Sequence, residues 1–437
     1  MTSGASGVPE RGQQSGGLSR GGRPLAVPDT LYGNVRVAPW AAALLAAPLF
    51  RRLAGVSLSD VPGELLFGHP FPSRLDHAIG VYGLARVARP RDRALHAAAL
   101  AHDLGHGPLS HLTELLMREC LGMDHEQRSA HLLQAVRASL PADVHDRFLS
   151  WLDWDEVASL LLGAGRGALL NGQLDYDNAD NVARFLLASG LGTPEYDPQA
   201  LAAGLRLSRA AMGGGDDVAH GRGRVYLEPE AEAEARAWQR DRVRVYEYLH
   251  AGHRNLALHA MLRKAVDLGA ATGILPESFF SMTDLQALRL LEGSLDRGLS
   301  ALVRLARAGR EYACVWQLPI PEPPPALTGL FASWRQRLNL ESQLAAEAAL
   351  APHDVIADLL ASSAIRPLPP VGPPSGPLRL TENELPYASP AAPTLRLFAP
   401  SETGRDYLRR LGIAAERLFG SFGVMSHVAD LQATAAE

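Results

Sequence analysis

The stretch His102-Asp103-Leu104-Gly105-His106-Gly107-Pro108-Leu109-Ser110-His111 decides how this chain is read. It follows Ala94–Ala101, a strong helix former. Neighbouring side chains on a helix point about 100° apart, so His102 and Asp103 can clasp adjacent positions of one ion. Gly105, Gly107 and Pro108 end the helix and let the backbone turn tightly. His106 then projects near the same place. Seven of the 15 histidines lie between His77 and His131. Imidazole is both a common metal ligand and the usual proton carrier. Some of these rings fit a plainer role: His96, His111 and His131 stand at helical spacing, where structural histidines are common.

Working outward, Arg74-Leu75-Asp76-His77 precedes a helical pattern over Ala78–Val87, and Leu174-Asp175-Tyr176-Asp177 opens another over Asn178–Ser189. The whole chain has 437 residues, 47% hydrophobic and 20% charged, enough for a sizeable core and too apolar for wholesale disorder. Its net charge of −5 argues against a protein that coats nucleic acid. The two cysteines, Cys120 and Cys314, form no C-x-x-C pair, which excludes zinc ribbons, iron–sulfur clusters and a disulfide framework. No apolar run approaches the roughly 18 residues of a membrane helix. The best, Trp40–Phe50, ends in Arg51 and Arg52. No apolar signal core opens the chain, so a cytoplasmic location is expected. Lys264 is the only lysine, and alanine is abundant, which points to a coding bias and weakens helix assignments made on alanine alone.

Residues 1–29 are Gly, Ser, Arg, Gln and Pro with little apolar content and read as a disordered leader. Residues 30–317 are mostly helical in period, with a glycine- and charge-rich mobile loop over 213–223. From Leu318 the composition shifts to a Pro-interrupted C-terminal region, 318–437: a linker, a helical stretch over 326–362, a strand near Thr394–Pro400 and a helix near 403–418. The charged Arg224–Arg244 segment reads as a solvated helix face. The expected fold is mostly α, a multi-helix core with a smaller C-terminal α+β extension.

Ser73-Arg74-Leu75-Asp76-His77-Ala78-Ile79-Gly80-Val81, the run His102–His111, Asp124-His125-Glu126-Gln127 and Leu174-Asp175-Tyr176-Asp177, in that order, resemble the HD superfamily of metal-dependent phosphohydrolases. The nearest likeness is to its deoxynucleotide triphosphohydrolase branch, over roughly 35–317. The resemblance implies a metal held by His77, His102, Asp103 and Asp177. Two imidazoles and two carboxylates without thiolate suit one divalent ion (Mn, Fe, Ni, Co, Zn or Mg) with open water positions. The resemblance also implies His106 and His125 as additional active-site histidines, with Glu114 or Glu126 to orient them, and Arg74 as a phosphate contact. His111 is a further candidate for the substrate.

The chain departs from that family at three places after the metal aspartate, and again at Val245-Tyr246-Glu247-Tyr248, where the family has Val-Tyr-x-His. The family follows its metal aspartate with a cation, then a tyrosine, then a second aspartate; here those places read Asn178, Asn181 and Phe185. All three are expected to line the cavity beside Asp177, making it less cationic and more apolar. The expected activity is hydrolysis of a phosphate ester of a nucleotide or nucleotide-like metabolite by metal-activated water. The alternatives are a dNTP triphosphohydrolase releasing tripolyphosphate, and a metal-stabilised nucleotide-binding regulatory module with weak turnover. The expected partner is a phosphorylated small molecule, with no membrane or nucleic-acid partner, and a homo-oligomer by analogy with homologous enzymes.

Overall fold

The Arg93–Ala101 helix is buried at every residue from Ala94 to Ala101 in the computed structural model. A helix that is apolar all round belongs inside a core, and its alanines let neighbours approach closely. The Arg74–Ala88 and Trp154–Leu161 helices pack on it, and Arg74–Ala88 touches the Tyr176–Ser189 and Pro198–Gly204 helices in turn. The structure describes residues 24–208, 224–360, 368–372, 377–378 and 393–424.

Side-chain caps fix where these helices begin. Ser73 and Asp76 form a reciprocal capping box, as do Asp124 and Gln127, while Asp175 accepts from the Asn178 N–H. Arg74, His77, His125 and Asp177 therefore all stand in or next to a first helical turn, and these helix starts converge.

A second core surrounds the His253–Ala271 helix, which packs on Asp284–Glu292 and Arg297–Arg307. Beyond it lies a three-stranded antiparallel sheet with Thr394–Ala399 between Ala313–Pro319 and Ile356–Leu360. The Trp334–Ala348 and Arg405–Gly420 helices pack on each other and share a third core with that sheet. The protein is thus a mostly helical core with a small α+β extension, as the composition shift at Leu318 implied.

Three ionic contacts bind the extension to the His253–Ala271 helix. Arg263 pairs with Asp358, Lys264 with Glu341, and Asp267 with Arg337, all six side chains being buried or nearly so. Buried charges demand a specific partner, so they fix how the layers dock more than they add net stability.

The structure departs from the sequence reading in several segments. Leu25–Asp29, placed in the leader, forms a strand paired with Gly33–Val37. Asp29 closes the turn by accepting from the Leu31 and Tyr32 N–H groups and also pairs with Arg184. The rest of the leader, 1–23, and the 213–223 loop lie outside the described residues. The helical stretch 326–362 divides into Pro325–Phe331, Trp334–Ala348 and the strand Ile356–Leu360. Ala349, with φ 57°, ends the second helix. Arg224–Leu227 is a strand, and the following Glu232–Ala251 helix buries Gln239, Asp241 and Arg242, because it packs against Tyr176–Ser189. No helix among the described residues is long and apolar enough to cross a membrane.

Candidate metal centre and its cavity

His77, His102 and Asp177 come from three different places in the chain and converge. His77 Nε2 lies 2.8 Å from Asp177 Oδ1 and 3.2 Å from His102 Nε2. Donors at right angles around one ion, each about 2.1 Å from it, stand about 3 Å apart, so these spacings match a shared cation. Asp103 flanks the group, with Oδ1 3.4 Å from His102 Nε2 and Oδ2 3.8 Å from His77 Nε2. His77, His102 and Asp177 could hold a metal ion. The electrostatics agree with positive charge at this point. Burial alone would lower the His77 pKa, yet hydrogen bonds to Asp177 and Asp180 raise it to about 10.

The ring of each histidine is oriented from behind. His102 Nδ1 donates to the Ala99 carbonyl at 2.8 Å, and His77 Nδ1 faces Asp180 Oδ2 at 2.7 Å. Both leave Nε2 turned toward the site. Asp180 is itself clasped by Arg184, at 2.8 and 2.9 Å, and by the Tyr32 hydroxyl at 2.9 Å. Gly80 makes this approach possible, since a Cβ there would fall on the Asp180 carboxylate and the Arg184 guanidinium. Gly80→Ala is therefore expected to push Asp180 off His77 and to weaken metal binding by roughly 10–100-fold. Metal titration of the folded variant, checked by circular dichroism, measures this.

A second cluster adjoins the first. The His106 and His125 rings stack with centroids 4.0 Å apart, and His111 stands edge-on to both. His125 Nδ1 bonds Glu114 Oε2 at 2.9 Å. These four residues also form a group that could hold a metal. Their protonation differs. Burial, Arg74 and His125 keep His106 well below the usual histidine range, and burial and Arg74 lower His111. For His125, burial is outweighed by the hydrogen bond and charge of Glu114, and its pKa rises. Glu114 resists its own burial and is lowered to about 2, chiefly by His125. Of the three rings, His125 is thus the one whose surroundings favour the charged form. Glu126 starts the same helix as His125, and no polar contact ties it to this cluster.

The loop that joins the two clusters is strained. Leu109 and Ser110 have φ 60° and 51°, a left-handed region that costs a non-glycine residue roughly 1–2 kcal/mol. Ser110 Oγ, so placed, donates to the Ser57 carbonyl at 2.5 Å and accepts from Arg74 Nε at 3.0 Å. Arg74 NH1 reaches Asp103 Oδ2 at 2.9 Å, with both side chains 3% exposed.

A cavity of about 260 Å³ opens beside this arrangement. Arg74, His111, Asn181 and Phe185 line it, together with Asp60, Arg242, Tyr246, Asn255 and His259. Arg242 is buried, its guanidinium 3.9 Å from the Tyr246 ring centroid. Asn178, expected beside Asn181, is instead buried with Nδ2 donating to Asp175 Oδ1 at 2.8 Å. The reason is local: Asn178 shares a helix face with Phe185, seven residues on, but it stands in the first turn, where both its N–H and its side-chain amide donate to the N-cap Asp175. Asp180 and Asp284 escaped the sequence reading. An aspartate four residues before Arg184 was a usable signal for Asp180. Asp60, Asn255 and His259 come from distant segments that no local pattern connects.

No family model matches the chain. A stretch of an uncharacterized protein, YwfO, of Bacillus subtilis (strain 168) is 29% identical over 148 residues, covering 29% of this chain and 31% of the relative. A deoxyguanosinetriphosphate triphosphohydrolase-like protein of Rhodopseudomonas palustris (strain BisB18) is 35% identical over 100 residues, 21% of this chain and 24% of the relative. The chain therefore matches under a third of the length of either relative.

Proposed function

We propose that the protein is a metal-dependent phosphohydrolase of the HD superfamily, cleaving a phosphate ester of a nucleotide or nucleotide-like metabolite. The observation that carries this reading is the meeting of His77, His102 and Asp177, flanked by Asp103, beside a cavity lined by two arginines. When bound there, a divalent ion would polarise a phosphoryl oxygen and lower the pKa of water next to it. Asp180 keeps His77 in the orientation that offers Nε2. Arg74 and Arg242 face the cavity and offset charge developing on phosphate oxygens. His125, whose charged form Glu114 favours, supplies the proton that the leaving oxygen needs, and His111, whose burial favours the neutral form, stands between it and the cavity.

The substrate is expected to be small and phosphorylated. Phe185 and Tyr246 offer ring surface, and Asn181 and Asn255 offer amides to a sugar or base. Arg242 favours the second reading, a dNTP triphosphohydrolase, because it returns to the cavity a cation of the kind that Asn178 lacks. A release screen over nucleoside mono-, di- and triphosphates with Mn, Fe, Mg, Co and Ni tests both. Inorganic phosphate from monophosphates supports the first reading, and intact tripolyphosphate from dNTPs supports the second. No hydrolysis with any ion would leave the regulatory-module reading.

The Glu114–His125 pair sets an expected pH dependence. The folded-state pKa of His125 is raised, so its stabilising contribution is complete below its unfolded value and is lost as pH rises through the folded one. The rate should fall over that same upper window as the imidazolium is lost. Glu114→Gln should move the fall to lower pH, which a pH–rate profile on any accepted substrate reads directly.

A further inference from the structure

Asp284 opens the Asp284–Glu292 helix, far from the metal residues in sequence, and its side chain is buried. Its two oxygens are each taken by a backbone N–H from a different loop: Oδ1 accepts from Leu109 at 2.7 Å and Oδ2 from Ser57 at 2.8 Å. Leu109 is the first of the two left-handed residues, and Ser57 is the residue whose carbonyl receives the Ser110 hydroxyl. The contacts form a closed series from Asp284 through Ser57 and Leu109 to Ser110, then Arg74 and Asp103. The same segment braces the loop twice more. Arg52 joins the Met282 carbonyl to those of Leu104 and His106, and Arg128 joins Ser281 Oγ to the Gly105 carbonyl.

We propose that Asp284 is a positioning residue: it holds the strained Leu109–Ser110 turn, and through it sets Arg74 and His111 against the cavity. The inference rests on the hydrolase reading. Strained backbone persists only where its surroundings over-determine it, and a carboxylate with both oxygens used supplies that constraint. Burial pushes the Asp284 acid up to about 6, while the Leu109 and Ser57 N–H groups and the charges of Arg74 and Arg52 pull against it. At neutral pH it is therefore the acceptor for both donors. Asp284 touches none of His77, His102, Asp103 or Asp177 through a hydrogen bond, so its loss should leave the ion in place.

The test is Asp284→Asn in the full chain, where an amide nitrogen replaces one acceptor. With Mn bound at the parent's stoichiometry, kcat should fall roughly 10–100-fold, in the range of lost supporting contacts, with KM within about twofold, the pattern of a contact that matters in the transition state. Hydrogen exchange at the Leu109–His111 amides should quicken while that of Ala97–Leu100 stays at the parent rate. If Asp284→Asn is insoluble, Asp284→Glu carries the same test, because its longer side chain cannot meet both N–H groups from the same Cβ; a fall of about tenfold is expected. A folded variant that melts lower but keeps the parent's kcat and loop exchange would reduce Asp284 to a structural residue and overturn the proposal. A parent that hydrolyses nothing overturns the hydrolase reading instead, and the proposal falls with it.

Discussion

Alanine at both His102 and Asp103 is expected to remove metal binding and hydrolysis together. Two of the four proposed donors disappear, and the remaining pair, His77 and Asp177, cannot surround an ion. The double variant also leaves Arg74 buried without its carboxylate, a loss of roughly 3–5 kcal/mol when one partner of a buried ion pair goes. Activity lost through unfolding must therefore be told apart from activity lost through the missing ion. Asp177→Asn does so, because Asp177 is 32% exposed and shape is conserved. It should keep the parent's melting temperature within a few degrees in the metal-free state while metal content, read by elemental analysis, drops toward zero. Metal retained in both variants would move the centre elsewhere, with the His106–His111–Glu114–His125 group next in line.

His125→Ala is expected to do the opposite: keep the ion and lose turnover, by roughly the 10²–10⁴-fold typical of a general acid or base. His125 lies outside the first cluster, and its ring contacts are with His106, His111 and Glu114. Removing it frees Glu114, which still has Arg118 at 3.2 Å, so no uncompensated buried charge results. The measurement is single-turnover hydrolysis at saturating Mn, with metal content determined on the same sample. Near-parental turnover would pass the acid role to His111, whose ring lines the cavity, and His111→Gln would then carry the loss.

Much of the site could be read from order and spacing. The His77, His102-Asp103 and Asp177 segments each carry a local signature, a helix start or a helix end, and local signatures survive in one dimension. The caps at Ser73 and Asp175 start these helices at Arg74 and Tyr176, four and two residues before the patterns read from Ala78 and Asn178, and Asp124 caps the one at His125, so the side chains in their first turns are fixed in direction. Asn178 shows the boundary of such reasoning. Its place next to Asp177 looked like a place in the cavity, but in the first turn its amide is taken by the cap Asp175. Arg242 shows the reverse, a residue in a segment read as a solvated face that is buried against the pocket because two helices pack. The extension was less legible. Its sheet draws strands from 313–319, 356–360 and 394–399, and pairing across such separations leaves no periodic trace.

The burial of Lys264 against Glu341 gives the molecule an internal gauge of its own opening. A protease that cuts after lysine has one bond to attack in these 437 residues, and that bond follows a side chain only 1% exposed. Cleavage into two fragments, separable on a gel, therefore reports openings that both lift the extension and unwind the His253–Ala271 helix. An amine-acylating reagent finds the same side chain hidden until that event. Unlabelled, unmutated protein thus carries a single-site clock for the unfolding of this helix and of the interface that its three buried ion pairs hold shut.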